Sequence, residues 1–214
     1  ITYDSSGTYS YGGGGSNNYS LDVSGNGRVE IPNLTYLSYE FTISGSFKQS
    51  AYGGPVLTRY DGYSTQGSEW SIIIATTNNT VTCLVNGDAG DQQITGYQSV
   101  DDSNWHHFDI TYLHDVNNPS INNFSLYIDN VLESTTNNTI GALFNNLNNI
   151  DFVTHLGGLG GASYDGNLDN IRIWDRVLSQ QEIQGYTSCP PTGNETGLVG
   201  YWNFEDNSNP NIAL

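Results

Sequence analysis

The groups in this chain that could do chemistry are its carboxylates, its four histidines and an unusually large set of tyrosines. Cleavage of a glycosidic bond needs two carboxylates aimed into one cleft, one as acid and one as base or nucleophile. On a single strand that means spacing of i, i+2 or i, i+4. Glu30, Glu40, Glu69, Glu133, Glu182, Glu195 and Glu205 stand apart, and no strand carries such a pair of glutamates. His106 and His107 are adjacent, so on a strand they point to opposite faces and share a metal poorly. His114 and His155 lie elsewhere, which leaves no zinc spacing. No Gly-x-Ser-x-Gly elbow exposes a serine nucleophile. The expectation is a chain that is not an enzyme.

Binding chemistry is better represented. Asp169 sits in Gly166–Trp174, a stretch that alternates with period two and reads as a strand. Counted by that period, Asp169 shares a face with Ile171 and Ile173. A carboxylate placed among apolar neighbours needs a cation or several hydrogen-bond donors. Aromatic rings on turns form a second set: Tyr52, Tyr60, Tyr63 and Trp70 around the Gly53 and Asp61 loops, with Tyr97, His155 and Tyr164 on loops expected nearby. Exposed rings with polar neighbours are platforms for sugars. Trp105, Trp174 and Trp202 read instead as core residues.

The elements that must position these groups are short strands. Tyr19–Val23 with Arg28–Ile31, Tyr39–Lys48, Val56–Tyr60, Trp70–Thr76, Val81–Val85, Trp105–Leu113, Phe124–Ile128 and Gly166–Trp174 read as strands separated by turn-forming Gly, Asn, Asp and Pro. Gly12–Gly15 reads as a flexible turn; no Lys-Ser/Thr follows it, so it is no phosphate loop. Ser179 followed by Glu182 forms a capping box, so a short helical turn, Gln180–Gln184, is expected. No long segment carries a 3.6-residue apolar stripe.

The chain has 214 residues, 36% hydrophobic, with 25 Gly and 15 Tyr, sufficient for one large β-sandwich. Five Lys and Arg against 22 Asp and Glu give a net charge of −17. Such a surface repels nucleic acid and anionic lipid, and it disfavours sulfated or uronate glycans unless Ca²⁺ bridges them. No apolar run is long enough to span a bilayer, so direct membrane insertion is not expected. The chain has no Met and reads as a piece of a longer protein, with neighbouring domains as partners. Cys83 and Cys189 either bridge, closing a long loop, or stay separate, with Cys83 buried as a small hydrophobe.

Several motifs together carry a resemblance. Gly166–Ile183 (GNLDNIRIWDRVLSQQEI), Leu21–Pro32 (LDVSGNGRVEIP), Phe41–Phe47 (FTISGSF), Trp105–Tyr112 (WHHFDITY) and Phe124–Val131 (FSLYIDNV) resemble, in order, segments of laminin G-like domains of the concanavalin A-like superfamily. Asn130 stands where the family usually has Gly. The tail, Gly197–Asp206 (GLVGYWNFED), resembles the family's first strand. The resemblance implies an all-β, antiparallel two-sheet jelly roll over residues 1–214. In it, residues 190–214 either supply a terminal strand or open a following repeat.

The resemblance also implies a structural Ca²⁺ where the opening strand's exit loop meets the closing strand. Its ligands would be Glu205, Asp206 and Asp169, with Asp4 as a further one. The functional expectation is a non-catalytic carbohydrate-binding or adhesion module of a secreted or cell-surface protein, taking a glycan or cell-surface ligand. The alternatives are a spacer or protein-binding repeat of a large adhesin and, more remotely, a glycoside hydrolase.

Overall fold

The computed structural model describes the chain outside residues 1, 4–6, 15–17, 26–27, 32–39, 50–52, 61–70, 88–89, 116, 118–119, 139–152, 159–163 and 206–214. Two antiparallel sheets carry the described residues. One sheet is built from β1 (Thr2–Tyr3), β4 (Arg28–Ile31), β14 (Val153–Gly157), β6 (Pro55–Tyr60), β7 (Ser71–Thr77), β8 (Thr80–Gly87), β9 (Gly90–Thr95) and β13 (Thr136–Asn138), in that spatial order. The other runs β12 (Val131–Leu132), β11 (Phe124–Ile128), β10 (His106–Leu113), β5 (Glu40–Gln49), β15 (Gly166–Trp174), β3 (Asn18–Gly25) and β2 (Gly7–Gly14). The tail's strand, β16 (Leu198–Trp202), pairs with β15. Among the described residues, no helix is long and apolar enough to cross a membrane. The two-sheet, all-β architecture is the one expected from the strand pattern and the resemblance.

Alternation explains the core. On β5, Phe41, Ile43 and Phe47 turn inward, and β10 and β11 set Phe108, Ile110, Tyr112, Phe124, Leu126 and Ile128 beside them. Phe41, Tyr112 and Phe124 form a ring cluster with centroids 4.5–6.0 Å apart. From the opposite sheet come Ile72, Ile74, Val81, Cys83, Val85 and Leu156. Cys83 is fully buried and free, while Cys189 is free and exposed. Of the two cysteine readings, the small buried hydrophobe is the one the fold adopts. Gly12–Gly14 lie within β2 rather than in the expected turn, laddered to Asn18–Ser20 of β3.

The closing strand departs from simple alternation. Asp169 pairs with Ser46 and Arg172 with Ser44, so Asn170 and Ile171 together oppose Gly45. This is a β-bulge, with Asn170 at φ 50°, a left-handed position that Asn tolerates better than most residues. The bulge flips the parity. Leu168, Ile171 and Ile173 all enter the core, whereas Asp169, Arg172 and Trp174 share the outer face with Ser46, Ser44 and Thr42. Asp169 is therefore not on the isoleucine face, as period two predicted. Gly45 makes room for the bulge, since a Cβ there would lie 2.5 Å from Ile171 Cδ1.

Helix α1 (Gln180–Ser188) is longer than the single turn expected and keeps the expected cap. Ser179 N–H donates to Glu182 Oε2 at 2.9 Å, and Glu182 N–H donates back to Ser179 Oγ. The helix packs on the outer face of the second sheet through Trp174, Leu178 and Ile183, with Tyr186 stacked on Trp174 at 4.8 Å.

Candidate functional site

Two places gather the residues able to bind something. The first lies at the bulge. Along one edge of β15, β3 pairs with Gly166–Leu168 and β16 with Ile171–Trp174. The two strands meet end to end beside Asp169, and Glu205 follows β16 there, its Oε2 accepting from Tyr19 N–H at 3.4 Å. Asp169 is buried (7% exposed). Its oxygens accept from Asn170 N–H at 2.7 Å and Asn170 Nδ2 at 3.0 Å, and Asn170 Oδ1 in turn accepts from Tyr201. Burial, abetted by the negative charge of Glu205, pushes the Asp169 carboxyl up from its ordinary 3.8 to about 7, against the Asn170 hydrogen bonds.

An all-oxygen set with two mutually repelling carboxylates is what a hard divalent cation neutralises. Asp169 and Glu205 fit as part of such a set. Asp206 and Asp4 lie outside the described residues, and among the described residues no three His, Cys, Asp or Glu side chains cluster as a metal site.

The proton on Asp169 yields a signed prediction. The metal-free folded chain holds this proton more tightly than the unfolded chain does, so folding takes up a proton between about pH 4 and pH 7. Stability should fall as pH rises through that window. Asp169→Asn, which imitates the protonated acid, should lose this dependence. Thermal unfolding against pH in a chelator checks it; identical slopes for both proteins would contradict the assignment.

The second place is the end of the sandwich where the loop after β9 enters β10. Tyr97 is 66% and Trp105 45% exposed, two of only five large apolar side chains so open among the described residues. A buried Val100 pins this loop, its N–H donating to Asn79 O at 2.8 Å. Glu133 Oε2 accepts from the N–H groups of Tyr97 and Gln98, at 2.8 and 2.9 Å.

Asp129, in the β11–β12 turn at φ 49°, is the hub. Its Oδ2 meets Gln98 Nε2 at 2.7 Å and His106 Nδ1 at 2.9 Å, and its Oδ1 accepts from His107 N–H at 2.9 Å. The other ring nitrogen of His106 lies 3.0 Å from Asp102 Oδ1. Asp102 also accepts from the backbone and side chain of Asn104, and these bonds hold its carboxyl down at about 2. Burial opposes charge on His106, but Asp129 and Asp102 outweigh it and hold its pKa above the ordinary imidazole value. The result is an exposed tyrosine and an exposed tryptophan on one loop that amides and carboxylates tie to the β11–β12 hairpin.

Other sequence-predicted residues fall elsewhere. His155 and Tyr164 are fully buried and present no platform to solvent. His155 stands on β14 with Nε2 3.6 Å from Glu30 Oε2. Tyr60 belongs to β6, its side chain outside the description, and Tyr52, Tyr63 and Trp70 lie outside the described residues. Trp174 and Trp202 are core, as expected; Trp105 is not. The sequence reading missed Gln98, Asp102 and Asp129. Of these only Asp102 had a local signal, the polar run Asp101-Asp102-Ser103-Asn104, where an Asx turn and Ser103 at φ 64° precede β10 and leave Trp105 just outside it.

The family model described as the concanavalin A-like lectin/glucanases superfamily matches residues 5–184. No curated protein sequence matches the chain. Among solved structures, the chain is similar to a Bacteroides ovatus protein named for carbohydrate binding (15% identity, TM-score 0.57), covering 97% of this chain and 52% of that one. The chain thus spans about half the length of that relative.

It is also similar to the Ruminococcus gnavus IT-sialidase CBM40 bound to α2,3-sialyllactose. There the identity is 17% and the TM-score 0.59, over 78% of this chain and 96% of that. Domain 4 of the extracellular arabinanase AbnA from Geobacillus stearothermophilus, in complex with arabinotriose, aligns at 16% identity and TM-score 0.53, over 84% and 81%. The motifs, the two-sheet topology and the family match agree: the chain is a laminin G-like domain and belongs to the concanavalin A-like lectin/glucanase superfamily.

Proposed function

We propose that this domain is a non-catalytic carbohydrate-binding module of a secreted or cell-surface protein, and that it takes neutral oligosaccharides on the Tyr97–Trp105 patch. The observation that carries the reading is the pair of exposed rings on one hydrogen-bonded frame. Aromatic faces stack on the C–H faces of pyranose or furanose rings, and each ring buries a large apolar area on contact. Gln98 and Asn104 of the same loop carry side-chain amides that can meet hydroxyls. Carbohydrate-binding neighbours on the same fold support the ligand class, although the fold itself does not fix it. The acidic frame and the net charge of −17 disfavour sialylated, sulfated or uronate chains.

The bulge carboxylates have a separate, structural part in this reading. Asp169 and Glu205 hold a Ca²⁺ that neutralises their repulsion and ties β16 to β15 and β3. Both Asp169 oxygens are engaged by Asn170 and the side chain is buried, which suits a cation better than contact with a sugar.

The test is calorimetric titration with a panel of neutral plant and microbial oligosaccharides beside sialyllactose. Trp105→Ala and Tyr97→Ala should each weaken binding by about tenfold or more. Both should leave the unfolding midpoint nearly unchanged, because exposed rings add little to the core. Binding that survives both substitutions would refute this placement. No binding across the panel would favour the spacer-repeat alternative.

A further inference from the structure

The ring of His106 is held between two carboxylates. Asp129 Oδ2 lies 2.9 Å from Nδ1 and Asp102 Oδ1 3.0 Å from Nε2. An ionised carboxylate only accepts, and a neutral imidazole has one N–H. Both contacts can be hydrogen bonds only when the ring carries two protons. Asp129 belongs to the β11–β12 turn and Asp102 to the loop bearing Tyr97 and Trp105, so the imidazolium ties the Asp102 end of that loop to the turn, beside the bonds that Gln98 makes to Asp129 and that Glu133 makes to the Tyr97 and Gln98 amides. We propose that His106 is a positioning residue of the Tyr97–Trp105 patch, and that its second proton fixes the Asp102 segment of the 96–105 loop against the hairpin turn in the form that binds sugar. The inference rests on the carbohydrate-binding reading for its consequence, but not for its structural readout.

When the proton leaves, only one of the two contacts can remain a hydrogen bond. Phe47 of β5 packs on the ring with centroids 5.9 Å apart and supplies no charge. Asp129 is engaged by His107 N–H and Gln98 as well, so it stays in place. Asp102 is half-exposed and its other partner is Asn104 of the same loop, so it is the contact that gives way. Glu133 of the same hairpin accepts from the amides of Tyr97 and Gln98 through Oε2. The folded state raises the affinity of His106 for its proton. The clamp is therefore complete below the ordinary imidazole range of about 6.5 and is lost as pH rises through the higher, folded value.

The experiment follows the ring signals of His106, Tyr97 and Trp105 by NMR from about pH 5 to pH 9, without ligand, in the wild type, His106→Gln and Asp102→Asn. The expected result is a His106 midpoint above that of free imidazole, with Tyr97 and Trp105 moving at the same midpoint. Asp102→Asn should lower that midpoint, and His106→Gln should abolish the movement. A midpoint at or below the ordinary value, or rings that ignore the His106 titration, overturns the proposal. In a parallel arm, affinity for the best neutral oligosaccharide of the panel should fall by about tenfold across the same range in the wild type, the worth of one charge-assisted hydrogen bond, and stay flat in His106→Gln. Wild-type affinity that is flat in pH overturns the clamp and leaves carbohydrate binding intact. Absence of any binding sinks the carbohydrate reading while the ligand-free titration still decides the clamp.

Discussion

Gly166→Ala is expected to cost more than about 3 kcal/mol, enough to leave the domain largely unfolded at moderate temperature. A Cβ at this position would lie 2.1 Å from the carbonyl oxygen of Lys48 and 2.8 Å from the hydroxyl of Tyr164. The first of these is backbone, which no rotamer change removes. Nor can the strand step aside, because Gly166 is laddered on both edges, to Gln49 of β5 and Val23 of β3. Gly185→Ala is the control: nothing lies within 4 Å of its added methyl. In helix α1 that exchange should stabilise by up to about 1 kcal/mol. Denaturant unfolding of the two variants checks the pair; a Gly166→Ala protein as stable as wild type would contradict the register of β15.

Trp174→Ala should cost about 3–5 kcal/mol, the usual price of emptying a buried indole site. Trp174 is fully buried on the outer face, stacked on Tyr186, with the Arg176 guanidinium 5.3 Å from the ring centroid. It is the apolar floor on which helix α1 rests. The helix in turn reaches the β11–β12 turn, Thr187 Oγ1 donating to Asn130 Oδ1 at 2.7 Å. Loss of Trp174 should therefore loosen the helix first and the Asp129–Asn130 turn second. Hydrogen exchange should show faster amides in 180–188 than in β5 or β10. A loss below about 1 kcal/mol with unchanged helix protection would mean that the helix is held by other contacts.

Much of the fold was legible because strands that bury one face write their pairing as period two. Phe41, Ile43 and Phe47, or Phe124, Leu126 and Ile128, could be assigned to the core by counting. The capping box at Ser179 and Glu182 was equally local. Counting failed at Asn170, because a bulge needs only one residue of tolerated left-handed backbone and a gap across the sheet, here Gly45. Nothing in the spacing of Gly166–Trp174 announces that gap.

The candidate sites were legible to a lesser degree. Asp169 is legible as a carboxylate in an apolar strand, and it is buried, on the face opposite the isoleucines. Tyr97 was named among the platforms. Trp105 reads as core by its type, yet it is half-exposed and stands just ahead of β10, after the Asx turn. The frame of Gln98, Asp102, Asp129 and His106 joins a loop to a hairpin turn more than twenty residues away. Such contacts come from the sheet register between β10 and β11, not from local sequence.

The most direct test of the central claim is to see where a sugar sits. Backbone and aromatic NMR shifts should be mapped on the domain during titration with the tightest neutral oligosaccharide from the panel. The account predicts the largest changes at Tyr97, Gln98, Asn104 and Trp105, with the bulge around Asp169 and Glu205 silent. Changes confined to any other surface, with Tyr97 and Trp105 unmoved, would contradict it.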